Sequence, residues 1–214
     1  MNVRYVLFDL VGTLFDTSPG IKRCVRAALA AFGYDAGDLN RFIGPPFLDA
    51  LTEFCGLSRE QALRVKDEYR RLYGAGGVDE CAPMPGAEQC LQALRAAGLT
   101  PAVATSKPRP FAMRVLERFG FEKYFACIAA DDTPTGTGKA EVVAAALRAL
   151  GDPPPQACVM VGDRKYDVLG AAAHGIRCIC YASGFAAAGE YEAAGAWKVV
   201  TDFAGVRDAV LSLR

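Results

Sequence analysis

Four short segments of this chain carry side chains that could act together on a phosphate ester. Asp9 stands in Phe8-Asp9-Leu10-Val11-Gly12-Thr13-Leu14, and Thr105 opens Thr105-Ser106-Lys107-Pro108. Lys139 follows Gly138, and Asp163 and Asp167 sit in Gly162-Asp163-Arg164-Lys165-Tyr166-Asp167. Asp9, Asp163 and Asp167 are the hard oxygen ligands that Mg²⁺ takes. Lys139 and Thr105 offer a cation and a donor for the equatorial oxygens of a transferring phosphoryl group. Asp9 is then available as a carboxylate nucleophile toward phosphorus. Taken singly, each residue has an ordinary reading: an Asp after a strand is often a helix N-cap, and a Lys is often a solvated surface group. The chemistry rests on all four occurring in order at strand ends.

The elements that must position them can be read from the hydrophobic pattern. Tyr5–Leu10, Thr100–Thr105, Phe125–Ala130, Ala157–Gly162, Arg177–Ala182 and Trp197–Val200 are short apolar runs that read as buried strands. Ala87–Ala96, Pro110–Phe119, Ala140–Leu150, Val168–His174 and Ala204–Leu213 are helical candidates between them. Strand–helix alternation predicts an α/β fold, a doubly wound, Rossmann-like parallel sheet with helices on both faces. Ligands of such sheets bind beyond the carboxyl ends of the strands, which is where the four segments fall.

The alternation breaks between about Asp16 and Pro83, where Ile21–Phe32, Phe47–Phe54 and Glu60–Tyr73 are amphipathic and no convincing strand occurs. So many consecutive helices exceed one crossover and predict a small helical insert over 16–82, with residues 1–15 and 83–214 forming the core. Gly44-Pro45-Pro46 reads as a stiff turn within it. Gly74–Gly77 and Pro83–Gly86 read as hinges back to the sheet.

Composition narrows the function classes. The 214 residues carry 24 Lys+Arg against 24 Asp+Glu, which argues against a nucleic-acid polymer as partner. At 52% hydrophobic and 22% charged residues, the chain has enough apolar side chains for a globular core. The eight cysteines form no Cys-x-x-Cys pair and there is one histidine, His174, so neither a zinc site nor a disulfide framework is expected. His174 reads as a residue near a helix C-terminus before Gly175. No export signal and no apolar run of ~18 residues is present, which predicts a cytoplasmic protein without a membrane span. A monomer is the default expectation. Thr133–Ala140 superficially resembles a phosphate loop, but Thr133 replaces its first Gly and Ala140 its Ser/Thr. No Gly-x-Gly-x-x-Gly follows the first strand, which removes a dinucleotide cofactor.

Over essentially its whole length the sequence resembles the haloacid dehalogenase superfamily of aspartate-nucleophile hydrolases. The family's Asp-x-Asp-x-Thr corresponds to Asp9–Thr13, its Ser/Thr to Thr105, its Lys to Lys139, and its Gly-Asp-x-x-x-Asp to Gly162–Asp167. The resemblance implies that the helical insert is a cap over the substrate. It further implies Mg²⁺ held by Asp9, Asp163 and the backbone carbonyl of Val11, with Asp167 in support, and a small phosphorylated substrate. Within the superfamily the chain looks closest to the phosphoglycolate-phosphatase-like group, and Phe42–Pro46, Ala104–Pro108 and Gly162–Asp167 resemble a 5′-nucleotidase-like or tyrosine-phosphatase-like branch. That branch makes Arg41 and Gly44 candidates for substrate contact, alongside Ser106, Lys107, Arg164 and Lys165. For Arg41 the alternative is a surface arginine beside a structural turn. For Arg164 and Lys165 it is balancing the acidic cluster.

One position departs from the family pattern. Val11 stands where the phosphatases carry the aspartate that protonates the leaving group and deprotonates water. General acid–base help of that kind is worth about 10²–10⁴-fold. Three readings follow: a phosphatase that is slow or restricted to good leaving groups, a non-catalytic relative that binds a phosphorylated ligand or partner, or other superfamily chemistry. Phosphonate hydrolysis would need a cap lysine, and Lys22 and Lys66 sit in no recognised motif. Dehalogenation needs no metal, against which Asp163 and Asp167 stand.

Overall fold

The computed structural model describes residues 2–133 and 136–214. Pro134 and Thr135, inside the phosphate-loop look-alike, lie outside the described residues.

Six strands form one parallel sheet: β1 (Tyr5–Phe8), β4 (Thr100–Pro108), β5 (Ile128–Asp131), β6 (Cys158–Gly162), β7 (Arg177–Tyr181) and β8 (Lys198–Val200). Their order is β5-β4-β1-β6-β7-β8, so the chain winds outward in both directions from β1. Asp9 and Asp163 follow two adjacent central strands, paired Phe8 to Val161. Alternation along each strand divides the core. Val6, Phe8, Val103, Val159 and Val161 face one apolar cluster, while Leu7, Ala104, Met160 and Cys178 face the other. Helices α4 (Ala87–Ala96), α5 (Arg109–Phe119) and α9 (Phe203–Leu211) cover the first face. Helices α6 (Lys139–Ala149) and α7 (Lys165–Ala172), with the short α8 (Glu190–Ala194), cover the second. Both faces are therefore buried, as the near-continuous apolar strand sequences require.

The helices between β1 and β4 are α1 (Ser18–Ala30), α2 (Phe47–Cys55) and α3 (Arg59–Ala75), with a 3₁₀ turn at Leu39–Phe42. α3 starts on a capping box: the Ser58 hydroxyl accepts from Gln61 N, and the Gln61 side chain accepts from Ser58 N at 2.8 Å. The segment enters and leaves through a two-stranded antiparallel ribbon, β2 (Phe15–Asp16) against β3 (Ala82–Pro83). Two residues per strand is too short for any hydrophobic period to reveal. α3 also runs through Gly74 and Ala75, which the sequence assigns to a hinge. The ring of Phe111 from α5 lies over Gly74 and packs at 5.2 Å against Tyr73, so this last turn is held by tertiary contact.

β4 extends three residues past its expected end. Between Ala104 and Pro108 its register against β5 shifts, and strand alternation buries Thr105 and Lys107 while Ser106 and Pro108 are only partly buried. All eight cysteines are free thiols. Among the described residues no helix is long and apolar enough to cross a membrane.

Candidate active site

A cavity of about 770 Å³ opens at the carboxyl edge of the sheet, beneath the α2–α3 segment. Asp9, Val11, Thr105, Ser106, Lys107 and Lys139 line it, as do Asp163, Arg164 and Asp167. Each reaches it for a local reason. Asp9 is the first residue beyond β1, and its N–H still donates to Val161 O at 2.9 Å. Asp167 lies in the first turn of α7 and accepts from the backbone N–H groups of Asp163 and Arg164 at 3.1 and 3.0 Å. Lys139 begins α6, and its ammonium donates to Ala104 O at 3.1 Å.

Asp9, Asp163 and Asp167 are all buried and offer oxygen atoms within 4.8 Å of one another. Lys139 Nζ contacts Asp9 and lies 2.8 Å from Asp167 Oδ1. Burial, the largest influence, pulls the Lys139 ammonium down; Asp167 and Asp9 more than offset it and hold it above its ordinary value. Burial raises the carboxyl of Asp9, against the attraction of Lys139. Asp163 is pushed well up, by burial first and then by Asp167 and Asp9, although Thr13 Oγ1 and Ser183 Oγ donate to it at 3.1 and 2.8 Å. Of these three buried carboxylates, Asp9 and Asp167 pair with Lys139, and among the described residues Asp167 Oδ1 has no hydrogen bond beyond that ion pair. An all-oxygen donor set with surplus negative charge fits a hard divalent cation such as Mg²⁺.

Gly12 sits at φ +78°, and a Cβ there would strike the Asp163 carboxylate. Only glycine lets the chain turn this tightly between Asp9 and Thr13.

The roof of the cavity is aromatic and cationic. Phe47 packs tilted against Tyr69 at 4.2 Å and Tyr69 stacks on Tyr73 at 5.4 Å, and all three line the space with Lys66, a buried side chain of α3. Lys107 Nζ donates to the Tyr73 hydroxyl at 2.7 Å. Arg164 reaches up from the core to the carbonyl of Ile43 and fills the space beneath Gly44, whose φ of +100° leaves no room for a side chain. Its other edge is gripped by Glu190.

Two sequence candidates do not reach this space. Arg41 is exposed and lies over the Phe54 ring, 4.0 Å from its centroid. Its place in the 3₁₀ turn directs it onto α2 rather than into the cavity. Lys165 is exposed on the outer side of the first turn of α7, beside Tyr166. Buried Arg164, directly before it, is the extended N-cap of α7 and lies outside the helix. Ser183, Tyr73, Glu190 and the cavity-lining Asp131 at the end of β5 were not singled out from the sequence. Only Asp131 carried a readable signal, a carboxylate directly after an apolar strand.

The chain as a whole is similar to known proteins. Residues 3–175 match the family model for haloacid dehalogenase-like hydrolases. The chain belongs to that family. A 5′-nucleotidase from Pseudomonas aeruginosa is 36% identical over 211 residues, covering 97% of this chain and 95% of its own. A structure described as a predicted phosphatase from Clostridium acetobutylicum superposes with a TM-score of 0.93 at 34% identity, covering 99% and 100% of the two chains. The tyrosine-protein kinase PtkA of Mycobacterium tuberculosis is 42% identical over 185 residues; the match covers 84% of this chain but 62% of the kinase. The haloacid dehalogenase-like fold and a phosphatase-type hydrolase are thus established for this chain.

Proposed function

We propose that this haloacid dehalogenase-like hydrolase is a Mg²⁺-dependent phosphomonoesterase that passes a phosphoryl group through Asp9 to water. Residues 1–15 and 83–214 form its catalytic core and 16–82 its cap. The observation that carries this reading is the meeting of Asp9, Asp163, Asp167, Lys139 and Thr105 around one cavity. Asp9, Asp163, Asp167 and the Val11 carbonyl would hold the cation. When bound, it supplies a positive charge that draws electron density from the phosphoryl oxygens.

The residues of the chain do the rest. Asp9 attacks phosphorus, forming an aspartyl phosphate as the leaving group departs. Lys139 restrains Asp9 and neutralises a phosphoryl oxygen. The Thr105 hydroxyl accepts from Lys107 N at 3.2 Å, which leaves its own proton to donate. Ser106, Lys107, Arg164 and the Gly44 turn bound the leaving-group side, and the cap excludes water. The cavity volume suits a small phosphorylated metabolite or a nucleotide.

Val11 is partly buried against the core and supplies no proton. That observation favours one second reading, a protein that binds a phosphorylated ligand without turning it over. Steady-state hydrolysis of a nucleoside monophosphate and an aryl phosphate, with Mg²⁺ and with chelator, separates the two. The proposed function requires metal-dependent release of phosphate and a gain of about 10²-fold or more in Val11→Asp. Tight binding of a phosphate mimic with no turnover by either protein would favour the binding reading.

A further inference from the structure

The missing carboxylate at position 11 raises the question of which group moves protons in this cavity. Among the described cavity residues, two buried lysines other than Lys139 stand out, Lys107 and Lys66. Lys139 is committed to Asp9 and Asp167. Lys107 projects from the end of β4, two residues beyond Thr105, and its backbone N–H is tied to the Thr105 hydroxyl. Its Nζ lies 2.7 Å from the Tyr73 hydroxyl and 4.5 Å from the centre of that ring. Tyr73 comes from α3 of the cap segment and is itself wedged between Tyr69 and Phe111. An ammonium is therefore fixed between Thr105 at the core edge and Tyr73 in the roof, within the cavity that Asp9 also lines.

We propose that Lys107, positioned by Tyr73, replaces the absent acid/base: it protonates the leaving alkoxide and then takes the proton of the attacking water. This rests on the phosphatase reading above. In the first step an Asp9 oxygen bonds to phosphorus, the bond to the leaving oxygen breaks, and that oxygen takes a proton from the Lys107 ammonium. In the second, water oxygen bonds to phosphorus, its proton passes to the neutral Lys107 amine, and the bond to Asp9 breaks. Phosphate leaves, with Asp9 ionised and Lys107 charged as at the start. Burial, eased by Cys81 and Asp9, lowers the Lys107 ammonium to about 8, close to the working range of a general acid–base group. Tyr73 acts as a positioning residue, and the proton donor is complete only with the cap seated.

Sensitivity to the leaving group tests this. Turnover of glycerol phosphate, an alkyl ester that needs a proton, is compared with 2,4-dinitrophenyl phosphate, which does not. The comparison covers the native chain, Lys107→Met, Lys66→Met and Tyr73→Phe. Lys107→Met is expected to lose at least about tenfold more on the alkyl ester than on the dinitrophenyl ester. Tyr73→Phe should shift in the same sense by less, and Lys66→Met should affect both esters alike. Adding Val11→Asp to Lys107→Met should restore alkyl-ester turnover. Equal losses on both esters in Lys107→Met would overturn the proposal, as would selective loss in Lys66→Met instead. If the native chain turns over neither ester and gains no phosphoryl group on Asp9, the phosphatase reading itself falls and takes this one with it.

Discussion

Glu190 grips Arg164 through both carboxylate oxygens, at 2.8 Å to Nε and 3.2 Å to Nη2, while the far side of the guanidinium bonds the carbonyl of Ile43. The two side chains are only 11% and 7% exposed, so this pair works in a low dielectric. Glu190 also accepts from the N–H groups of Lys165 and Ala187. A five-residue helix thereby fixes the arginine that joins the core to the turn above the site.

Removing one partner of such a pair leaves a buried charge unmatched, which costs about 3 kcal/mol. Glu190→Ala is expected to lower the thermal midpoint by roughly 6–12 °C for a domain of this size. Glu190→Gln should fall between the variant and the native chain. A midpoint unchanged within a degree in Glu190→Ala would show that Arg164 is held by other contacts. Differential scanning calorimetry reads this directly.

The crowding of Asp9, Asp163 and Asp167 makes the site unfavourable without a cation. Asp163→Asn is therefore expected to raise the midpoint of the metal-free protein. In the native chain, Mg²⁺ at 100 times its dissociation constant should stabilise by about 2.7 kcal/mol. The variant should lose most of that increment. An equal Mg²⁺ shift in both proteins would place the cation elsewhere.

Lys107 gives the stability a defined pH signature. Below about 8 the ammonium is charged in folded and unfolded chains alike, and its burial cost is fully present. Between about 8 and the ordinary value of 10.5 the folded amine is neutral while the unfolded one still carries its proton. The unfolded state then binds more protons, so this group makes stability rise with pH. Buried tyrosines and cysteines act in the opposite sense at high pH, because Tyr73 and Cys90 are pushed up by burial. The difference between native and Lys107→Met isolates the lysine. Urea titrations should show it moving in favour of the native chain by about 3 kcal/mol across this window. A flat difference would mean that Lys107 is not held in an apolar setting.

Gly12→Ala introduces a methyl group where the Asp163 carboxylate lies, at a left-handed backbone position. The left-handed strain alone costs about 1 kcal/mol or more. The displaced Asp163 should weaken Mg²⁺ binding by at least tenfold in calorimetric titration, with far-ultraviolet dichroism unchanged. Native affinity in this variant would remove Asp163 from the ligand set.

The parallel sheet and its carboxyl edge were legible because buried strands announce themselves as short apolar runs between Gly, Asp and Pro. Tyr5–Phe8, Cys158–Gly162 and Arg177–Tyr181 fall inside their expected bounds. β4 was read too short because its apolar run stops before Ser106-Lys107-Pro108, where its register against β5 also shifts. The chemistry-bearing residues were legible where type and spacing coincide, as in Asp163 and Asp167, four residues apart across the start of α7. Ser183, Tyr73 and Glu190 were not, because each meets the site only through packing between distant segments. The fates of Arg164 and Lys165 turn on where α7 begins, which the adjacent charges conceal: Arg164 is the buried, extended N-cap and Lys165 the exposed first helical residue.

The central claim is that Asp9 carries the phosphoryl group. Brief incubation with 2,4-dinitrophenyl phosphate and Mg²⁺, acid quench, and peptide mapping by mass spectrometry test it directly. The expected result is one phosphoryl group on the peptide containing Asp9, abolished by chelator and by Asp9→Asn, and shorter-lived in Val11→Asp. Phosphate release without label on that peptide, or label on another residue, would contradict it.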